Sequence, residues 1–205
     1  MRSYALLLGM DRPVITTAEA ATLLKIGRVG AIKLLRRLAD RGLIVRVRRG
    51  LWALKGRVTA FDLLPYLTAP YPSYVSLWTA LHEHGMIEQV PRMVYAVSLG
   101  RPKVLKTPFG TYSIHRISPP LFGGFDLRDG VRIAEPEKSL FDTVYILAVR
   151  SYRPVRLPEI ELPGTFDGEK IAFWLSRIPS ERLRTRARHQ FSRVMRGLAF
   201  QASGR

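Results

Sequence analysis

Between residues 16 and 54 the sequence sets out two short amphipathic helices, a glycine-bearing turn between them and an alternating hairpin after them. That order leaves few ways to fold. Thr16 or Thr17 offers an N-cap oxygen to the orphan amides of a first helix, and Glu19 lies in its first turn, where the helix dipole favours an anion. Ala20, Ala21, Leu23 and Leu24 supply an apolar face. Ile26-Gly27 follows, with the glycine expected to take the positive φ of a tight turn. A second helix is predicted over about 28–41, with Ala31, Leu34, Leu35 and Leu38 on one stripe and Lys33, Arg36 and Arg37 on the opposite side. Gly42 stands where a helix C-terminus takes a left-handed residue. Leu43 to Arg48 then alternates apolar and basic residues, Arg49-Gly50 forms a turn, and Leu51 to Leu54 returns. Helix, turn, helix and hairpin in that order predict a winged helix-turn-helix over residues 1–58.

Charge placement points the same way. Lys and Arg outnumber Asp and Glu by 13 to 3 in residues 1–60 and by 8 to 1 in residues 176–205, yet residues 61–175 carry 12 of each. Two basic termini around a neutral body imply a polyanion-binding module joined to something with another task. Arg28, Lys33, Arg36 and Arg37 are the candidates for base edges or nearby phosphates on duplex DNA. Arg46, Arg48 and Arg49 are the candidates for the wing contact. Thr17, at a helix start, is a candidate to give a phosphate its backbone amide and hydroxyl. The competing account is a solvated basic face, but helix spacing, turn, hairpin and local charge all agree on DNA.

Residues 59–205 read as a mixed α/β body with C-terminal helices, so the whole chain is expected to be α+β. Helices are predicted at 61–67, at 74–83 before Gly85, and from Glu135-Pro136-Glu137 through Leu147. Strands are predicted at 93–98, 103–106, 111–117 and 131–134. A Pro-rich segment at 153–164 precedes final helices at about 168–177 and 180–198. The aromatic set Tyr71, Tyr74, Trp78, Tyr95 and Phe109 is read as core.

Two blocks of this body carry a family resemblance. One runs Tyr74-Val75-Ser76-Leu77-Trp78-Thr79-Ala80-Leu81, then His84 to Pro91, then Val94-Tyr95-Ala96-Val97. The other runs Ile133-Ala134-Glu135-Pro136-Glu137-Lys138-Ser139-Leu140-Phe141-Asp142. With the basic winged helix ahead of them, they resemble the AbiEi antitoxins over about residues 15–150. The resemblance implies an antitoxin of a type IV toxin–antitoxin, or abortive-infection, system. Such a protein represses its own operon at inverted repeats through its N-terminal domain. It counters a nucleotidyltransferase toxin through its C-terminal domain, without an assumed direct complex.

No catalytic constellation assembles from the remaining residues. His82 and His84 are two apart and so do not share a helix face, and zincin spacing is missing. Glu135, Glu137, Lys138 and Asp142 lack the spacing of restriction-type nucleases and read as residues of a helix N-terminus. Ser76 and Ser139 have no nucleophile-elbow context, and Gly123-Gly124 has no phosphate-loop pattern. No metal, cofactor or membrane partner is expected, since no apolar run approaches the ~20 residues of a membrane span. The N-terminal apolar run is read as a first helix rather than a signal peptide. The absence of cysteine fits a cytoplasmic location. Two other function classes stay open: a ligand-responsive winged-helix regulator without antitoxin activity, and a nucleic-acid-processing enzyme.

Overall fold

The structure, a computed structural model, describes residues 2–10, 12–150 and 157–203. It divides into two compact units, Met1–Leu63 with Leu105–Thr111, and Leu64–Val104 with Tyr112–Arg205. Together they make an α+β protein that opens on a winged helix-turn-helix.

The first unit contains α1 (Arg2–Leu8), β1 (Val14–Thr16), α2 (Thr17–Leu23), α3 (Arg28–Asp40), β2 (Ile44–Arg48) and β3 (Leu51–Leu54). Thr16 is the N-cap of α2 and forms a capping box. The Glu19 amide donates to Thr16 Oγ1 at 3.1 Å, and the Thr16 amide donates to Glu19 Oε2 at 2.7 Å. The turn after α2 differs from the sequence expectation. Lys25 takes the positive φ (51°), while Gly27 has φ −63° and is the N-cap of α3. The reason is a Schellman closure of α2: the Lys25 amide donates to Thr22 O and the Ile26 amide to Ala21 O. Gly42 closes α3 in the expected way, at φ 70°.

β2 and β3 form the predicted hairpin, and β1 adds an unpredicted third strand along the far side of β3, giving the antiparallel order β1-β3-β2. A register shift between Arg46 and Arg48 leaves Val47 facing inward. Leu7, Ile15, Ala20, Leu35, Leu38, Ile44, Trp52 and Leu54 form one buried cluster, with Tyr4, Leu8, Leu24 and Leu34 packed against it. Burying each of the larger aliphatic members contributes about 1.5–3 kcal/mol. The α2–α3 pair is therefore held in place by β1 and β3 as well as by its own turn.

The second unit runs through α4 (Leu64–Thr68), β4 (Ser73–Val75), α5 (Leu77–Glu83), β5 (Val94–Ser98), β6 (Lys103–Thr107), β7 (Gly110–Arg116), β8 (Phe125–Arg128), β9 (Val131–Ala134), α6 (Pro136–Arg150), α7 (Gly168–Ser176) and α8 (Glu181–Ser203), except that Leu105–Thr111 of β6 and β7 fall in the first unit. Its mixed sheet has the order β6-β7-β5-β4-β9-β8. The helix expected over 74–83 is shorter than predicted. Ser73–Val75 is a central strand, antiparallel to β5, and Val75 pairs in parallel with Ile133. Leu77, at φ 54°, turns the chain from strand into helix. β8 is a strand that the sequence does not announce. Of the Pro-rich segment at 153–164, residues 153–156 lie outside the described residues. Tyr71 departs from the core reading of the aromatic set: it is half-exposed, whereas Tyr74 is fully buried.

Candidate nucleic-acid interface

α3 presents two faces. Ala31, Leu35 and Leu38 are buried against the core, and Arg28, Val29, Lys33, Arg36 and Arg37 are exposed. Val29, Lys33 and Arg36 stand at i, i+4 and i+7, so they line one row along the middle of the outer face. Arg28 and Arg37 flank that row. The first turn carries no acid. This is the geometry of a recognition helix: a rigid cylinder of major-groove width with cations along the side that faces away from the core.

The hairpin supplies the second surface. Arg46 is exposed, and its guanidinium lies 5.9 Å from the centre of the Trp52 ring, which holds the side chain over the sheet. Arg48 is exposed near the tip, and Arg49-Gly50 makes the turn with Gly50 at φ 80°. The Thr17 amide donates to Gly50 O at 2.9 Å, which ties the wing tip to the start of α2.

That same bond overturns one expectation. Thr17 is buried, its amide is taken by Gly50, and its hydroxyl accepts from the Trp52 indole at 3.0 Å. The amide is spent, and the hydroxyl is enclosed at a residue only 5% exposed, so this helix start presents no open face to a phosphate. The residue at this helix start serves the wing's packing instead. Sequence places Thr17 on a helix start correctly but cannot show that a tryptophan 35 residues away claims its hydroxyl.

Residues 2–55, which span α1 to β3, match the family described as transcriptional regulator, AbiEi antitoxin. The fold of this segment is a winged helix-turn-helix with a basic outer face. Over this segment the chain is similar to the AbiEi antitoxin transcriptional regulators. No curated protein matches the chain. The two blocks read in the body, at 74–97 and 133–142, lie beyond the matched residues.

In the second unit those blocks meet. Lys138 and Asp142, one helical turn apart on α6, form an ion pair that is fully enclosed. Asp142 Oδ2 also accepts from the Tyr74 hydroxyl at 2.9 Å and the Ser76 hydroxyl at 2.8 Å. The Lys138 ammonium lies 4.6 Å from the Trp174 ring centre and 4.9 Å from that of Phe141. Gly124 (φ 66°) makes room for this arrangement, because a Cβ there would sit 2.6 Å from Trp174. Burial is the largest influence on both charges, pushing Asp142 up and Lys138 down, and their mutual attraction opposes it. Burial likewise raises Tyr74.

By position the helix-terminus reading holds for Glu135, Glu137 and Lys138, which lie at or within the first turn of α6, but not for Asp142, and Lys138 and Asp142 are joined in the buried ion pair. Glu137 is itself buried: its Oε1 accepts the Asp167 amide at 2.8 Å, and its Oε2 lies 3.6 Å from the Lys170 ammonium. Hydrogen bonding to Glu135 is the main cause that raises Lys170. The enclosed carboxylate of Asp142 has no open face to offer a substrate. The signal for this cluster is legible as an opposite-charge i, i+4 pair inside an apolar helix, where such pairs are ordinarily found on the outer surface.

His84 Nε2 lies 2.6 Å from Ala134 O and His82 Nδ1 lies 3.3 Å from Ile87 O, so each ring faces a backbone carbonyl. Among the described residues no cluster of His, Asp and Glu could hold a metal ion, and no helix is long and apolar enough to cross a membrane. On α8, Arg182, Arg186, His189, Arg193 and Arg196 recur at intervals of three and four residues along one side, away from buried Ala187, Gln190 and Phe191.

Proposed function

We propose that this protein is the antitoxin of a type IV toxin–antitoxin system, repressing its own operon and opposing a nucleotidyltransferase toxin. The observation that carries the reading is the exposed basic row on α3 beside the arginine-bearing wing, in a segment that matches the AbiEi regulators. In this reading Lys33, Arg36 and Arg37 enter the major groove, with Arg28 at the helix entrance. Arg46, Arg48 and Arg49 reach the flanking phosphates or the minor groove. Two copies occupy an inverted repeat in the promoter, which requires no dimer off DNA. The boundary near residue 58 separates the DNA-binding part from the part that opposes the toxin, and the work is done in the cytoplasm without a cofactor. The basic side of α8 adds a second contact to nucleic acid.

The test pairs a promoter reporter with a toxin-rescue assay in the same cells. The full chain carrying Arg36→Ala and Arg37→Ala is expected to lose repression, by tenfold or more, and to keep its rescue of toxin-expressing cells. Unchanged repression would remove α3 from the interface. Loss of rescue with the variant still folded and abundant would overturn the division of labour. A ligand-responsive regulator without antitoxin activity would instead repress normally and leave the toxin unopposed in the unsubstituted chain.

A further inference from the structure

The cations of α3 account for attraction to DNA, but they leave Val29 unexplained. It is 68% exposed, the most exposed large apolar side chain among the described residues of the first unit. It sits in the first turn of α3, in the same row as Lys33 and Arg36. Packing does not require it, since it points away from the buried cluster of Leu35 and Leu38. Helix formation does not favour it, because a β-branched side chain loses rotamer freedom in a helix.

Its neighbours clear the space around it. Gly27 and Gly30 bracket Val29, and neither is glycine because of crowding inside the protein. A Cβ on Gly27 would meet nothing within 4 Å, and one on Gly30 would meet only Ile26, at 3.8 Å. The start of the helix is therefore slim on its outer side, with one branched apolar side chain standing out between cations at 28 and 33.

We infer that Val29 reads the 5-methyl group of a thymine in the operator. In B-DNA's major groove the thymine methyl is the one apolar group on the base edges, and the N-terminal residues of a recognition helix are those that reach the groove floor. Arg28 before it, and Lys33 and Arg36 further along its row, bring the phosphates and acceptor edges to either side. The apolar contact between them discriminates thymine from cytosine at one position of each half-site. This rests on the reading of α3 as a recognition helix, and it adds the base class that the helix selects.

The experiment replaces thymines, one at a time, with deoxyuridine, which lacks only the methyl group. The probe is the footprinted promoter duplex, and binding of the full-length protein is followed by fluorescence anisotropy. At one thymine per half-site the substitution is expected to weaken binding about fourfold, the effect of exposing one methyl group. Val29→Ser is expected to bind the thymine and deoxyuridine duplexes equally. Arg36→Ala should bind both more weakly while keeping the difference between them. If the unsubstituted protein binds every deoxyuridine duplex as tightly as the thymine duplex, or if Val29→Ser keeps the full penalty, the inference fails while the DNA-binding reading survives. Absence of salt-sensitive promoter binding would overturn the DNA-binding reading, and this inference with it.

Discussion

Thr17 shows how a single side chain divides structural from functional roles at the interface. Its hydroxyl is the acceptor for the buried Trp52 indole, and Trp52 supports both the core and the Arg46 side chain above it. Thr17→Val keeps the shape but leaves the indole N–H without its partner, so the folded state should lose about 1–3 kcal/mol. The check is a denaturant midpoint measured beside promoter affinity. A lowered midpoint with near-normal affinity in the folded range is the expected pair of results. Normal stability with lost affinity would return Thr17 to the phosphate contact. Residues such as Arg36 and Lys33 are legible in sequence because exposure follows directly from helical period and charge. Thr17 is not, since the fate of a hydroxyl is decided by a partner far away in the chain.

Elements are legible in proportion to their length and to the strength of their punctuation. α3 has 13 residues, one apolar stripe and a glycine stop, and the sequence places it to within a residue. β1 has three residues and no alternation to speak of, so its pairing with β3 comes entirely from the tertiary fold. The start of α5 escapes the sequence because Tyr74-Val75 is an apolar run that strand and helix both accept, and the left-handed turn at Leu77 is made by a residue that rarely adopts it. Closure of α2 by Lys25 is a case of the same kind. The wing, by contrast, makes a prediction of its own. If, under the proposed function, its arginines touch phosphates rather than bases, Arg46→Ala with Arg49→Ala should weaken binding evenly on specific and scrambled duplexes. The salt slope should fall by about two, one for each lost phosphate contact. A loss confined to the specific duplex would move the wing from backbone contact to base reading.

For the molecule as a whole, charge is the guide that sequence offers most clearly. It locates a basic N-terminal unit ahead of a neutral body, and the family match falls on that unit. The body's two family-like blocks are legible as blocks but not as a cluster. Only the fold brings Tyr74 and Ser76 onto Asp142, 66 and more residues away. That cluster is enclosed and bonded throughout, which fits a body that holds its shape around a buried ion pair. Under the proposed function, the outer faces of α3 and the wing are where this chain meets a polyanion. The measurement that tests this most directly is the binding constant of the full-length protein for its own promoter, followed from low to physiological salt. If these faces carry the contact, log K falls linearly with log salt, with a slope of about −4 or steeper, and Arg36→Ala with Arg37→Ala makes the slope shallower. An affinity that stays constant across that range would contradict it.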